Sequence, residues 1–199
     1  GAVLTAGSTF DTPAQLRKTQ QLAEKFKIAE LASRFLRPSS TYFFDSSSTS
    51  AVLASRLTEY PDVKIATNGV DIIANMSSSP KLSILSCGGY LRSPWGELTG
   101  NIAIKSIEGM YADVFFFSCA GFTREQGAME FSDENVAVKR AFYRNSKLHI
   151  LLCDSTKFGK QYFFNLFTLH EIDYIVTDKR PVNSALVELM GDRLIYPEG

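Results

Sequence analysis

Apolar residues fall along the chain in short unbroken runs rather than in alternation with polar ones. Six of these runs have the length of strands: Thr41–Asp45 (TYFFD), Val63–Thr67 (VKIAT), Lys81–Cys87 (KLSILSC), Ala112–Cys119 (ADVFFFSC), Leu148–Asp154 (LHILLCD) and Ile172–Thr177 (IDYIVT). Runs without a polar face are typical of strands covered on both sides. Between most of them the apolar positions switch to helical spacing, over Thr49–Leu57, Val70–Met76, Ile102–Met110 and Glu134–Asn145. Ahead of the first run, Leu16, Ala23, Phe26, Ile28, Leu31, Phe35 and Leu36 recur at mostly helical spacing. The pattern opens at Thr12-Pro13 and stops at Pro38, which predicts one continuous helix of about two dozen residues. Strand and helix in turn, with short links, predict an α/β fold: an open, mostly parallel sheet flanked by helices. No internal repeat and no Pro-, Gly- or Ser-rich linker divides the chain, so residues 1–199 are expected to form a single domain.

The length of 199 residues suffices for a sizeable core, and the 45% of residues that are hydrophobic supply it. The formal net charge is zero, which removes the broad basic field expected of a chain that grips nucleic-acid backbone along its own surface. Cys87, Cys119 and Cys153 each close an apolar run, where a thiol acts as a small buried hydrophobe. An odd number of cysteines without close spacing points to a reducing compartment. His149 and His170 lie in separate segments and no cysteine–histidine cluster has metal spacing, so neither a metal nor a cofactor is expected. No apolar stretch approaches the roughly 18 residues of a membrane span, and the first residues lack the layout of a signal peptide. Together these features predict a cytoplasmic protein with no membrane partner.

In open parallel sheets, ligands gather beyond the carboxyl ends of the strands. The residues there are Asp45-Ser46-Ser47-Ser48-Thr49-Ser50 after the first run, Thr67-Asn68-Gly69 after the second and Gly88-Gly89 after the third. Ala120-Gly121-Phe122 follows the fourth, and Asp154-Ser155-Thr156-Lys157-Phe158-Gly159 spans the end of the fifth. These segments are dominated by small, polar and glycine residues, which suggests a shared pocket lined with amides and hydroxyls. One cap needs one side chain, whereas Ser46 to Ser50 are five hydroxyl residues in succession. At a helix N-terminus such a turn suits a phosphate, which accepts several hydrogen bonds in a small space. The alternative is that Ser48 or Thr49 only caps the helix. Lys157 is either a cation that neutralises the anion or a surface lysine. Asp45 either accepts hydrogen bonds from sugar hydroxyls or fixes the turn, and Asn68 stands open to the same two roles.

The succession DSSST, TN, GG, AGF, DSTKFG and IDYIVTD resembles the C-terminal effector-sensing domain of the DeoR family of bacterial transcriptional repressors, from the first helix to about Asp178. The resemblance implies the fold of ribose-phosphate isomerase and glucosamine-phosphate deaminase, a phosphorylated sugar as effector, and assembly as a homodimer or homotetramer. It also implies a winged helix-turn-helix module as the DNA reader. This chain starts at the glycine and alanine stretch that ends the family's linker, so DNA contact is expected only through an N-terminal module outside it. The family's D-S-G-T-T turn falls on Asp45, Ser46, Ser47, Ser48 and Thr49, with Ser47 in place of the usual glycine and Ser48 in place of a threonine. A backbone needing positive φ would be strained at Ser47. The family's T-N-S falls on Thr67, Asn68 and Gly69, its glycine pair on Gly88 and Gly89, its later glycine on Gly121 and its lysine on Lys157. The resemblance thus makes Asp45, Ser47, Ser48, Thr49, Asn68, Gly88, Gly89, Gly121 and Lys157 the expected ligand-binding residues.

The rival class is a sugar-phosphate isomerase or deaminase-like enzyme on the same fold. Moving a proton between adjacent carbons needs a positioned base, most often a carboxylate. In the isomerases that the fold resembles, acidic residues cluster in the turn after a central strand, but here that turn reads Ser118-Cys119-Ala120-Gly121-Phe122. Glu125, Glu130 and Glu134 follow it and are the remaining candidates for a base. Cys119 has no histidine placed to activate it as a nucleophile. No enzymatic activity is expected. A third reading makes the domain an oligomerisation platform, with Tyr162-Phe163-Phe164 and Phe167 as subunit contact or as core.

Overall fold

The structure, a computed structural model, describes residues 13–198. Its strands are β1 (Thr41–Phe44), β2 (Val63–Thr67), β3 (Leu82–Ser86), β4 (Tyr90–Arg92), β5 (Glu97–Thr99), β6 (Ala112–Phe117), β7 (Gly121–Thr123), β8 (Gly127–Glu130), β9 (Ser146–Leu152), β10 (Phe164–Phe167), β11 (Tyr174–Val176) and β12 (Leu194–Ile195). The helices are α1 (Ala14–Thr19), α2 (Leu22–Ala32), α3 (Ser48–Ala54), α4 (Val70–Met76), α5 (Asn101–Glu108), α6 (Asp133–Arg144) and α7 (Ser184–Met190). A seven-stranded sheet in the order β12-β11-β9-β6-β1-β2-β3 has every neighbouring pair parallel. All seven carboxyl ends therefore meet at one rim, as the alternating pattern of the chain implies.

At the centre of the sheet the unbroken apolar runs follow from helices on both faces; the edge strand β3, expected to be covered likewise, is half-exposed, with Leu85 50% exposed. Along β6, Phe115 and Phe117 join Phe43 and Phe142 in the core on one face, while Phe116 turns to the other with Tyr42, Phe44 and Ile28. The rings of Phe44 and Phe116 stack at 5.2 Å, and those of Phe43 and Phe142 lie 4.9 Å apart. A strand in that position has no solvent side on which a polar residue is stable.

The first helix departs from expectation. Thr12, its expected start, lies outside the described residues, and the described part is two helices, α1 and α2, followed by a single-turn 3₁₀ segment, Ser33–Phe35. The chain breaks at Gln21, which takes a left-handed conformation with φ of 51°. Lys25 explains the break. It is buried, and its ammonium donates to the carbonyl oxygens of Arg17 and Gln20, taking the place of helical amides. Arg17 also donates from Nη2 to the Trp95 carbonyl at 2.8 Å, and Lys18 pairs with Asp71 at 2.7 Å, which swings α1 over the turn between β4 and β5.

Two small antiparallel units complete the rim: the β4–β5 hairpin and a three-stranded sheet in the order β10-β8-β7. Their strands run to only three or four residues each, too short for a period to declare itself. Gly88 and Gly89 sit between β3 and β4 with φ of 64° and 106°. A Cβ on Gly89 would fall 2.4 Å from the Thr99 carbonyl oxygen, so the glycine lets the hairpin close. Gly89→Ala is therefore expected to lower folding stability by about 1–3 kcal/mol from backbone strain alone. Urea denaturation checks this, and an unchanged midpoint would contradict it.

Candidate functional site

Asp45 leaves β1 fully buried, and its carboxylate organises the turn that follows. Oδ1 accepts hydrogen bonds from the Ser47 amide at 3.2 Å, the Ser47 hydroxyl at 2.6 Å and the Ser50 hydroxyl at 2.6 Å. Oδ2 accepts from the Ser118 amide at 2.9 Å and meets the Lys139 ammonium at 2.9 Å. Lys139, on α6, is itself buried; it also contacts Glu130 at the end of β8 and donates to the Ser118 carbonyl at 2.7 Å. Burial by itself would raise the carboxyl pKa of Asp45, yet the Lys139 charge, the hydroxyls of Ser47 and Ser50 and the Ser118 amide hold it below the usual carboxylate range. Lys139 shows the mirror image: burial lowers its pKa, but Asp45 and Glu130 prevail and raise it.

Ser47 has φ of −72°, so the serine that replaces the family's usual glycine needs no left-handed backbone. It is the N-cap of α3, its hydroxyl accepting the Ser50 amide at 3.1 Å. The next amides, of Ser48 and Thr49, lie in the first turn, where no acceptor exists within the helix. Ser46, Ser47, Ser48 and Thr49 line a cavity of about 170 Å³ at the rim, together with Ser118, Thr156 and Lys157 and, from the added units, Glu130, Phe131, Lys160 and Tyr162. Arg17 and Gln20 of α1 and Asn135 and Lys139 of α6 also line it.

Lys157 is mostly covered, with 21% of its side chain exposed, and lies 3.6 Å from Asp154 while donating to the Ser118 hydroxyl at 2.8 Å. Burial acts to lower its pKa, but Asp154 leads the charges that raise it. Asp154 in turn accepts from the Thr156 amide and hydroxyl, which fixes the second polar turn as Asp45 fixes the first. Nearby Lys25 has its pKa lowered to about 8, by burial first and by the Lys157 charge second. Cations thus outnumber the negative charge available to them here: Lys160 has no ion pair among the described residues, and the lining carboxylate, Glu130, is already taken by Lys139.

The other expected residues stand apart from this cavity's lining. Asn68 is buried and donates from Nδ2 to the Leu98 carbonyl at 3.2 Å, fastening β5 to the main sheet. Gly88 and Gly89 shape the approach to the hairpin. Gly121 permits close packing, since a Cβ there would meet the Lys160 carbonyl oxygen at 2.5 Å. Glu125 is exposed and pairs with Arg124, and Glu134 pairs with Arg92. Neither lines the cavity. Of the aromatic cluster, Phe167 is core, Phe163 is 89% exposed, and the Tyr162 ring packs on Phe131 at 4.4 Å.

Residues that the loop-end reading passed over are Lys139, Glu97, Asn135 and Arg17. Glu97 is fully buried in β5 and bonded to Arg92 at 2.7 Å, to the Ser46 hydroxyl at 3.1 Å and to Asn135 Nδ2 at 2.8 Å. Burial lifts its pKa, with Arg92 opposing. One signal for α6 was present: Asn135, Val138, Lys139 and Phe142 share its buried face, so Lys139 occupies an apolar stripe position.

Fold and cavity together define an α/β domain whose rim pocket offers cations, hydroxyls and amides. The DeoR C terminal sensor domain family matches residues 20–179, and the chain belongs to that family. The HTH-type transcriptional regulator GolR of Listeria innocua is 29% identical over 192 residues, which cover 96% of this chain and 75% of that protein. The glycerol-3-phosphate regulon repressor of Escherichia coli is 27% identical over 186 residues, covering 94% of this chain and 74% of that one. These relatives are regulators of transcription, and this chain is a sensor domain of that kind, not an enzyme. Among solved structures, ribose 5-phosphate isomerase A of Methanocaldococcus jannaschii aligns with a TM-score of 0.51 at 12% identity, over 71% of this chain and 56% of that one. The delta subunit of eIF2B from Chaetomium thermophilum aligns with a TM-score of 0.58 at 11% identity, over 81% and 58%. The chain thus spans little more than half the length of either structure, and the likeness is one of fold. Among the described residues, no helix is long and apolar enough to cross a membrane and no cluster has the composition of a metal site.

The buried ion cluster predicts how stability depends on pH. Asp45 is held low, so its contribution is complete above the unfolded value of about 3.9 and is lost only as pH falls through the lower folded value. Lys139 is held high, so its contribution is complete below about 10.4 and is lost only as pH rises through the folded value. Lys139→Met removes the cation, is expected to cost about 3–5 kcal/mol near neutral pH, and reverses the sign for Asp45, whose burial then raises its pKa. The variant's urea midpoint should be higher at about pH 5 than at about pH 8; equal midpoints would contradict the described cluster.

Proposed function

We propose that this domain binds a phosphorylated sugar or polyol in the rim cavity, and that occupancy changes the DNA affinity of the regulator to which it belongs. The observation that carries the reading is the convergence of the Ser47-Ser48-Thr49 turn with Lys157, Arg17 and Lys160 on one small cavity whose lining carboxylate is already neutralised. A phosphate dianion meets hydroxyl and amide donors there together with uncompensated positive charge. The hydroxyls of the sugar fall to the polar groups opposite, on α6 and beside Ser46. Asp45, with both carboxylate oxygens engaged by protein donors, serves by holding the turn. Asn68, Gly88, Gly89 and Gly121 support the loops around the site. The name of the Escherichia coli relative, a glycerol-3-phosphate regulon repressor, agrees with a phosphorylated metabolite as effector.

DNA contact belongs to a module outside this chain, and homodimeric or homotetrameric assembly supplies two arrangements between which a ligand selects. The shift in DNA affinity then equals the ligand's differential affinity for those arrangements and cannot exceed it. An isomerase or deaminase reading lacks a free base: Glu130 is the one carboxylate among the three candidates that reaches the cavity, and Lys139 occupies it.

A thermal-shift panel of sugar phosphates against the unphosphorylated sugars tests the reading. Stabilisation is expected from phosphorylated members alone, and stabilisation by the free sugars to the same degree would overturn it. Lys157→Ala is expected to weaken that binding by at least about tenfold while lowering the ligand-free melting temperature less than Lys139→Met does, because Asp154 keeps its Thr156 donors. Titration also has a proton signature. Burial first and the Lys157 charge second lower the Lys25 pKa to about 8, and a dianion bound nearby raises it. Calorimetry in buffers of different ionisation heat at about pH 8 should show proton uptake on binding; proton release there would count against an anion in this cavity.

A further inference from the structure

Asn135, one of the residues lining the cavity, carries an unusual atom. The residue is only 6% exposed, its Nδ2 donates to Glu97 at 2.8 Å, and its Oδ1 is shut off from solvent without any hydrogen-bond partner. Buried acceptors are rarely left unmade, because their lost hydration goes uncompensated. The amide is also not free to turn over. Glu97 Oε2 accepts from both Asn135 Nδ2 and the Ser46 hydroxyl, while Oε1 takes Arg92 Nη1 at 2.7 Å. Arg92 reaches on to Ser132, the N-cap of α6, whose hydroxyl accepts the Asn135 amide at 3.2 Å. A carboxylate oxygen committed to accepting requires the NH₂ group of Asn135 on its side and leaves the carbonyl oxygen on the other.

We propose that Asn135 is a specificity-determining residue: its Oδ1 accepts a hydrogen bond from a hydroxyl of the bound metabolite, and the Glu97–Arg92–Ser132 chain fixes it as an acceptor. The inference rests on the phosphate reading of the cavity and adds a second requirement to it. The ligand must carry an O–H donor away from its phosphate, so that a polyol or sugar phosphate is selected over an alkyl phosphate or free phosphate of similar charge. Such selection is strong in kind, because a ligand without the donor leaves the acceptor buried and unpaired.

The test measures affinity by calorimetry for glycerol 3-phosphate, ribose 5-phosphate, fructose 6-phosphate, n-propyl phosphate and inorganic phosphate. Wild-type chain is expected to bind the tightest hydroxylated member at least about tenfold more tightly than n-propyl phosphate. Asn135→Ala should weaken that member by roughly ten- to a hundredfold while leaving n-propyl phosphate within about twofold, so that the discrimination collapses. Glu97→Gln gives a second route that keeps the Asn135 side chain. The new amide can donate where a carboxylate oxygen accepted, Asn135 is then free to turn its NH₂ into the cavity, and preference for the hydroxylated member should fall. Melting curves verify that both variants fold, and the Glu97 variant decides if the Asn135 variant does not.

Full discrimination retained in whichever variants fold overturns the inference and leaves the phosphate reading standing. Equal wild-type affinity for hydroxylated and simple phosphates does the same. Wild-type chain that binds none of the five phosphates overturns the phosphate reading, and this inference with it.

Discussion

A single buried ammonium holds the rim together. Lys139 on α6 meets Asp45 at the end of β1 and Glu130 at the end of β8, joining the parallel sheet, the small antiparallel sheet and a covering helix at one point. Two carboxylates out of water are costly unless a cation lies between them. Satisfying that constraint fixes the orientation of Asp45, and Asp45 fixes the serines that follow it through three hydrogen bonds to one oxygen. The hydroxyl-rich turn is thus rigid before any ligand arrives. A pre-organised site loses less entropy on binding than a loop that must order itself.

The parts of the cavity differ in what they bring. The parallel sheet contributes the turns after β1, β6 and β9, which lie together because neighbouring parallel strands end at one edge. The β4–β5 hairpin contributes Glu97, which orients Asn135 and Ser46. The break between α1 and α2 brings Arg17 and Gln20 to the mouth of the site. Under the proposed reading that placement matters for signalling, since an anion drawing on Arg17 alters the balance of forces on α1, which also holds the turn before β5 through the Trp95 carbonyl. An element that touches both ligand and scaffold can favour one arrangement over another, and such coupling is limited by the contacts it gains or loses.

The sheet was legible in the chain because strands covered on both faces cannot hide their composition: TYFFD and the FFFSC of ADVFFFSC have no exposed residue to dilute them, and VKIAT has one, Lys64. The positions of the polar turns at the rim followed from the same topology. The break at Gln21 was not legible, because Lys25 in AEKFKIAE has the look of an exposed helical lysine and only burial reveals its pull on the carbonyls before it. The β4–β5 and β10-β8-β7 strands escaped notice because three or four residues carry no period. Glu97 was not legible, since the partners that bury it, Ser46 and Asn135, come from far along the chain, and Lys139 was marked only by its place on the apolar stripe of α6. Asn68, Gly89 and Gly121, placed near the site by their order in the chain, prove to be engaged with Leu98, with the Thr99 backbone and with the Lys160 backbone respectively.

The most direct measurement is a crystal structure of the domain grown with the tightest-binding sugar phosphate. The account predicts the phosphate against the Ser48 and Thr49 amides within reach of Lys157 Nζ, with the Lys139 cluster undisturbed beneath it. A phosphate seated instead in the separate groove between Phe122, Phe158 and Lys179, or at the rim with Lys157 turned away to solvent, would contradict it.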